Sequence, residues 1–173
     1  MSANRLRGLC TSATRSHARV IALSAALLVA GACDHAVVAP LMDVAAGQKE
    51  TLVITTEKPL GPVPGTFSTS GAFVDTGVLV TQQRIVSALP APFGVVTHLV
   101  LLFEGQQGTF TIRTEIKETV TGDEHIFANE GTWVFLRGTG AYATLHGTGR
   151  MEGTVDDSVN LITRIYTGQV FFD

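Results

Sequence analysis

What this chain has little of narrows its reading first. It holds 2 cysteines in 173 residues. Cys10 lies in a basic leader, so the part after residue 32 keeps only Cys33, and no disulfide can form within it. Positive charge is also scarce where it would matter. Arg5, Arg7, Arg15 and Arg19 all precede Val20, which leaves 8 Lys and Arg against 15 Asp and Glu after Ala32. An acidic body argues against a nucleic-acid partner, because neutralising phosphates needs a basic face. Long hydrophobic runs are missing: Val20–Ala32 is 13 residues, short of the roughly 20 that an ordinary membrane helix needs. Helix-favouring charged runs are absent too, and no G-x-S-x-G marks a nucleophile elbow.

What is present is glycine (18 residues) and, after Thr51, a preponderance of Thr, Val, Ile and Phe, which favours strands. With 45% hydrophobic residues the composition is globular. The chain is organised around Gly131–Gly153. Trp133 to Leu136 reads as a strand, Gly138-Thr139-Gly140 as a tight corner, and Ala141 to Leu145 as a single turn. Gly147 and Gly149 open the next strand and share a face with Gly153 by the period of two. Glycines repeated on one face let a sheet bend or another group approach closely, as at the corner of a small barrel.

The remaining segments are read in order. Thr51–Thr56, Thr66–Phe73, Gly77–Val86 and Val95–Phe103 are strand candidates, separated by proline loops at 61–65 and 87–94 and a turn at Asp75-Thr76-Gly77. Thr109–Val120 alternates clearly, with Phe110, Ile112, Thr114, Ile116 and Val120 on one face and Glu118 as the exception there. Thr109, Thr111, Arg113, Glu115, Lys117 and Thr119 make the wet face. His125–Leu136, Leu145–Val155 and Val159–Phe172 complete about eight strands joined by hairpin-like turns. An all-β, antiparallel up-and-down barrel is the expected fold, since closure removes exposed edges. A two-sheet β-sandwich is the alternative.

The N-terminus reads as an address. Met1–Arg19 is polar with only positive charge, and Val20–Ala32 is an apolar run ending in small residues, the layout of a secretory signal. Ala30-Gly31-Ala32-Cys33 resembles the lipobox of a bacterial lipoprotein signal. That resemblance implies cleavage after residue 32, a diacylglyceryl thioether on Cys33, and anchoring to a membrane of the cell envelope. The alternative is a signal cleaved after Ala32 that leaves a secreted, soluble chain with a free thiol, a liability in an oxidising compartment. Residues 33–49 read as a tether and 50–173 as the barrel domain, with Val37, Val38, Leu41 and Met42 alternatively packing on that domain.

At Gly138–Gly149, Trp133, Gly138, Gly140, Tyr142, Leu145, Gly147 and Gly149 give a pattern similar to the allene oxide cyclase-like barrels. Plant dirigent proteins and many bacterial secreted domains belong to the same group. The resemblance implies an eight-stranded barrel, often with an apolar cavity and often in a homo-oligomer. It carries no activity to this chain.

The candidate chemistry is sparse. Gly138–Ala143 spells a dinucleotide fingerprint without the following helix that would meet a pyrophosphate. Asp123, Glu124 and His125 are consecutive at a hairpin tip and cannot converge on a metal ion without a special turn. No metal or cofactor is therefore expected. His98 and Glu104 share a strand face with Val96, Val100 and Leu102. If that face lined the interior they would be acid–base candidates in an apolar cavity; otherwise they are an ordinary hydrogen-bonded histidine and a strand-end carboxylate. Trp133, Phe135 and Tyr142 either line a ligand pocket or fill the core. Arg113, Glu115 and Lys117 read as a solvated face.

Two readings follow. The first is a membrane-anchored, non-catalytic envelope barrel that binds a small apolar ligand or a protein partner. The second is a small isomerase- or cyclase-like enzyme working inside the barrel through His98 or Glu104. Because both faces of Val95–Phe103 are apolar, a homo-oligomer is expected under either.

Overall fold

Eight antiparallel strands run in chain order around a closed barrel in the computed structural model, which describes residues 47–88 and 94–173. They are β1 (Glu50–Pro59), β2 (Gly65–Gly71), β3 (Thr76–Ala88), β4 (Val95–Gly105), β5 (Thr109–Val120), β6 (Ile126–Gly138), β7 (Leu145–Asp156) and β8 (Leu161–Phe172). Each strand pairs with its sequence neighbours, and β8 returns to β1 over ten register pairs from Glu50↔Val170 to Pro59↔Leu161. This last pairing removes the sandwich alternative, since two packed sheets would leave β1 and β8 as edges. The expected signal sequence, Cys33, most of the expected tether and the tip of the second proline loop lie outside the described residues. The last tether residues do not: Gly47 donates its amide to Phe172 O at 2.7 Å.

Strand alternation sets what faces in. On β1, Leu52, Ile54, Thr56 and Lys58 are buried while Thr51 and Glu57 are exposed. On β5 the buried set is Phe110, Thr111, Ile112, Thr114 and Ile116. Phe110, Ile112, Thr114 and Ile116 lie on the expected face. Thr111, expected on the wet face, is covered where the register shifts before Ile112, and Val120, expected inside, is exposed at the strand end. On β7 the inward positions are Leu145, Gly147, Gly149, Met151, Gly153 and Val155. The three glycines make room for side chains of other strands. A Cβ on Gly147 would lie 2.5 Å from Val170, one on Gly149 2.6 Å from the Trp133 indole nitrogen, and one on Gly153 2.8 Å from the Arg164 side chain.

Strand lengths are uneven, and this shapes the interior. β2 has 7 residues where the others have 10 to 13. It meets β3 only along Gly65–Ser68 against Thr76–Leu79. Beyond Val80, β3 pairs with β4 alone among the described residues, with a bulge between Thr81 and Gln83. The wall therefore stops short on one side near the end that carries the β1–β2 loop.

The expected corner is a single 3-10 turn, Gly140–Tyr142, between β6 and β7. Gly140 takes φ +60, a left-handed conformation that glycine adopts without a side-chain penalty.

Candidate functional site

The two ends of the barrel differ in chemistry. One end is filled by aromatic rings. Phe103 and Phe110 stack at 4.5 Å, and Phe67 meets both edge-on at 5.2 and 5.7 Å. Tyr142 drops from the 3-10 turn onto Phe73 and Phe110, at 4.8 and 5.2 Å, and Phe135 stacks on Phe110 at 6.0 Å. Offset and edge-on pairs of this kind contribute roughly 0.5–1.5 kcal/mol each beyond their buried area.

Asp75 ties that end shut. It is 4% exposed and accepts hydrogen bonds from the amides of Thr76 (2.7 Å), Gln106 (3.0 Å) and Gln107 (3.3 Å) and from the Tyr142 hydroxyl (2.5 Å). One carboxylate thus joins the β2–β3 loop, the β4–β5 turn and the 3-10 turn. Burial pushes the Asp75 carboxyl up, but the bonds from Tyr142 and from the Gln106, Thr76 and Gln107 amides outweigh it and hold the group below its ordinary value.

The opposite half holds a cavity of about 690 Å³ inside the barrel. Its apolar wall is Leu99, Ile116, Phe127, Val155 and Ile162. Lys58, Arg84 and Arg164 also line it, with Glu118 and Asp157 as the acidic members. The cavity reaches the β1–β2 loop at Leu60–Pro62 and spans the gap left by the short β2 to reach Thr81–Arg84.

The charged groups are held in place. Lys58 is 7% exposed; its ammonium donates to Pro59 O at 2.9 Å and to Gly61 O. Burial, and after it the charges of Arg164 and Arg84, hold the Lys58 ammonium below its ordinary value. Arg164 gives Nε and Nη2 to Asn129 Oδ1 at 3.1 and 3.0 Å. Asn129, itself buried, donates Nδ2 to Glu118 Oε2 at 3.2 Å. Asp157 is paired with His125 Nδ1 at 2.7 Å. Beneath Arg164 the phenol of Tyr166 is fully buried, and its oxygen has no hydrogen-bond partner. Burial raises it, and the neighbouring arginine opposes that shift.

The sequence candidates fall elsewhere. On β4 the buried residues are Thr97, Leu99, Leu101 and Phe103, so His98 and Glu104 stand on the outer wall. His98 Nδ1 lies 3.6 Å from Glu115 Oε2, its register partner on the wet face of β5. Trp133, Phe135 and Tyr142 are packed in or against the core, and none of them lines the cavity. Trp133 is 2% exposed and donates its indole N–H to Arg150 O at 3.1 Å. Asp123, Glu124 and His125 form the β5–β6 turn, where Asp123 Oδ1 caps the His125 amide at 2.9 Å. Arg113, Glu115 and Lys117 are exposed, as a solvated face requires. A shallow depression of about 630 Å³ on the same outer wall mixes Lys117 and Arg150 with Glu130 and Glu152.

Since His98 and Glu104 touch neither core nor cavity, His98→Ala and Glu104→Ala are each expected to shift stability by no more than about 0.5 kcal/mol in urea unfolding. Lys58, Arg84, Glu118, Asn129 and Arg164 are the residues the sequence did not single out as a site. A signal was there: Glu118 breaks the apolar face of β5, and Arg164 shares a face with Ile162 and Tyr166 on β8. Strand direction places the ends of β1 and β5 and the start of β8 together.

Comparison with protein-family models, with curated proteins and with solved structures finds no match to this chain.

Proposed function

We propose that this chain is a non-catalytic binding protein of a bacterial cell envelope, anchored through a lipid on Cys33, with a small, largely apolar ligand held in its barrel. The observation that carries the reading is the cavity of about 690 Å³ in one half of a barrel whose other half is filled. Its size falls in the range of roughly 300–1,000 Å³ typical of small-molecule pockets, and an apolar wall with a few placed polar groups is the usual composition of such a site. The address at Val20–Cys33 supports export and anchoring. The similarity of Gly138–Gly149 to allene oxide cyclase-like barrels supports a cavity-bearing barrel but lends no activity. The enzyme reading rested on His98 and Glu104 facing inward; both lie on the outer wall, which favours binding over catalysis. Exposed Val78 and Ile85 on β3, beside Val96, Val100 and Leu102 on β4, offer an apolar outer strip that supports association with a second copy.

The experiment is native against denaturing mass spectrometry of the full chain recovered from the envelope of a bacterial host. Two results are expected: a covalent mass increment that Cys33→Ser abolishes, and a further small-molecule mass seen only under native conditions. A bare protein mass in both conditions would remove the ligand-binding reading.

A further inference from the structure

We infer that the cavity is built for an amphipathic monoanion, a carboxylate with an apolar chain, whose head sits among Lys58, Arg84 and Arg164. This rests on the ligand-binding reading above and deepens it.

The first reason is the charge balance. Three cations and two carboxylates line the cavity. Both carboxylates are engaged, Glu118 by the Asn129 amide and Asp157 by His125. No carboxylate lies within 4.0 Å of Lys58, Arg84 or Arg164 among the described residues. Gathering like charges in a partly dry space is unfavourable, and an apolar filling would have been the stable choice had filling been the only need. Burial first, and then the charges of Arg164 and Arg84, hold the Lys58 ammonium below its ordinary value. A bound anion relieves that repulsion. A surplus of one positive charge suits a single negative charge better than a phosphate dianion, which Glu118 and Asp157 would repel.

The second reason is geometry. Asn129 Oδ1 takes the Nε/Nη2 edge of the Arg164 guanidinium. Nη1 has no hydrogen-bond partner among the described residues, so the other edge of the fork is presented for a planar carboxylate. Two of the ammonium protons of Lys58 are taken by Pro59 O and Gly61 O, and the third remains for a ligand. Apolar lining lies on both sides of these heads: Leu99 and Ile116 belong to the buried core, and Val155 and Ile162 stand one inward step nearer the open end than Arg164. Cations set into an apolar lining suit a molecule with one charged head and an apolar chain.

The test is calorimetric titration of the full exported chain carrying Cys33→Ser, so that no covalent acyl group competes. The probes are dodecanoate, dodecan-1-ol and inorganic phosphate. Dodecanoate is expected to bind about tenfold or more tighter than dodecanol, the worth of one charge-assisted hydrogen bond, and phosphate is expected not to bind. Arg84 is exposed, so Arg84→Gln keeps the fold and is expected to weaken dodecanoate by about three- to tenfold while leaving dodecanol unchanged. Lys58→Met and Arg164→Gln are expected to act in the same direction, checked by circular dichroism for intact folding. Equal affinity for dodecanoate and dodecanol, or dodecanoate binding that ignores Arg84→Gln and Lys58→Met, would overturn the anion inference and leave the ligand-binding reading standing. Failure of both amphiphiles to bind would remove the two together.

Discussion

Asp75→Ala is expected to cost about 3–5 kcal/mol of folding stability, the largest loss from any single polar side chain among the described residues. Three backbone amides and the Tyr142 hydroxyl converge on this carboxylate. Deleting it leaves donors from three separate loops without their acceptor in a nearly dry site. The aromatic end would lose its tie as well, because Tyr142 is what seats the 3-10 turn on Phe73 and Phe110. Tyr142→Phe keeps the ring and removes one charge-assisted bond, so a smaller loss of about 1.5–3 kcal/mol is expected. Urea unfolding of both variants checks the order. The pH dependence has a definite sign. The folded Asp75 carboxyl lies below its ordinary value near 4. Its contribution is therefore present above that ordinary value and is lost as pH falls through the folded one. The stability gap between the native chain and Asp75→Asn should be constant from about pH 5 to 8 and shrink below about pH 4.

Gly149→Ala is the second large effect, with an expected cost of about 3 kcal/mol. The added methyl would lie 2.1 Å from Thr167 O, 2.6 Å from Gly168 Cα and 2.6 Å from Trp133 Nε1. Two of these neighbours are backbone of the paired strand β8 and cannot rotate away. The third is a ring fixed by its bond to Arg150 O. Thr148→Ala, one residue away on the wet face, is the control and should stay within about 0.5 kcal/mol. Trp133 is the only tryptophan, so its fluorescence reports the disturbance directly. A blue-shifted folded spectrum with a cooperative red shift on unfolding is expected for the control, and a lower midpoint for Gly149→Ala.

The strands were legible because their alternation is clean where one face is wet. Phe110, Ile112, Thr114 and Ile116 on β5 turned inward as their spacing implies. The glycine corner was legible too, since Gly138 and Gly140 permit no other economical reading between two strands. The inner face of β4 was not, because both of its faces are apolar: Leu99, Leu101 and Phe103 face in, and Val96, Val100 and Leu102 face out. Period two separates the faces but cannot say which is which. Register decides it, since His98 pairs with Glu115 on the wet face of β5. The cavity was hidden for a different reason. The first strand continues past Thr56 to Pro59, which turns Lys58 from a loop lysine into an inward one. The gap beside it comes from β2 ending early, a fact of pairing and not of any local motif. Lys58, Glu118 and Arg164 sit far apart in sequence, and only barrel closure brings them to one end.

The most direct measurement is methyl NMR of the Cys33→Ser chain during addition of dodecanoate. Shifts are expected at Leu99, Ile116, Val155 and Ile162, which line the cavity, with Leu145 and Val170 in the filled half unchanged. Shifts confined to outer-wall methyls such as Val96 and Val100, with the cavity methyls silent, would contradict a ligand site inside the barrel.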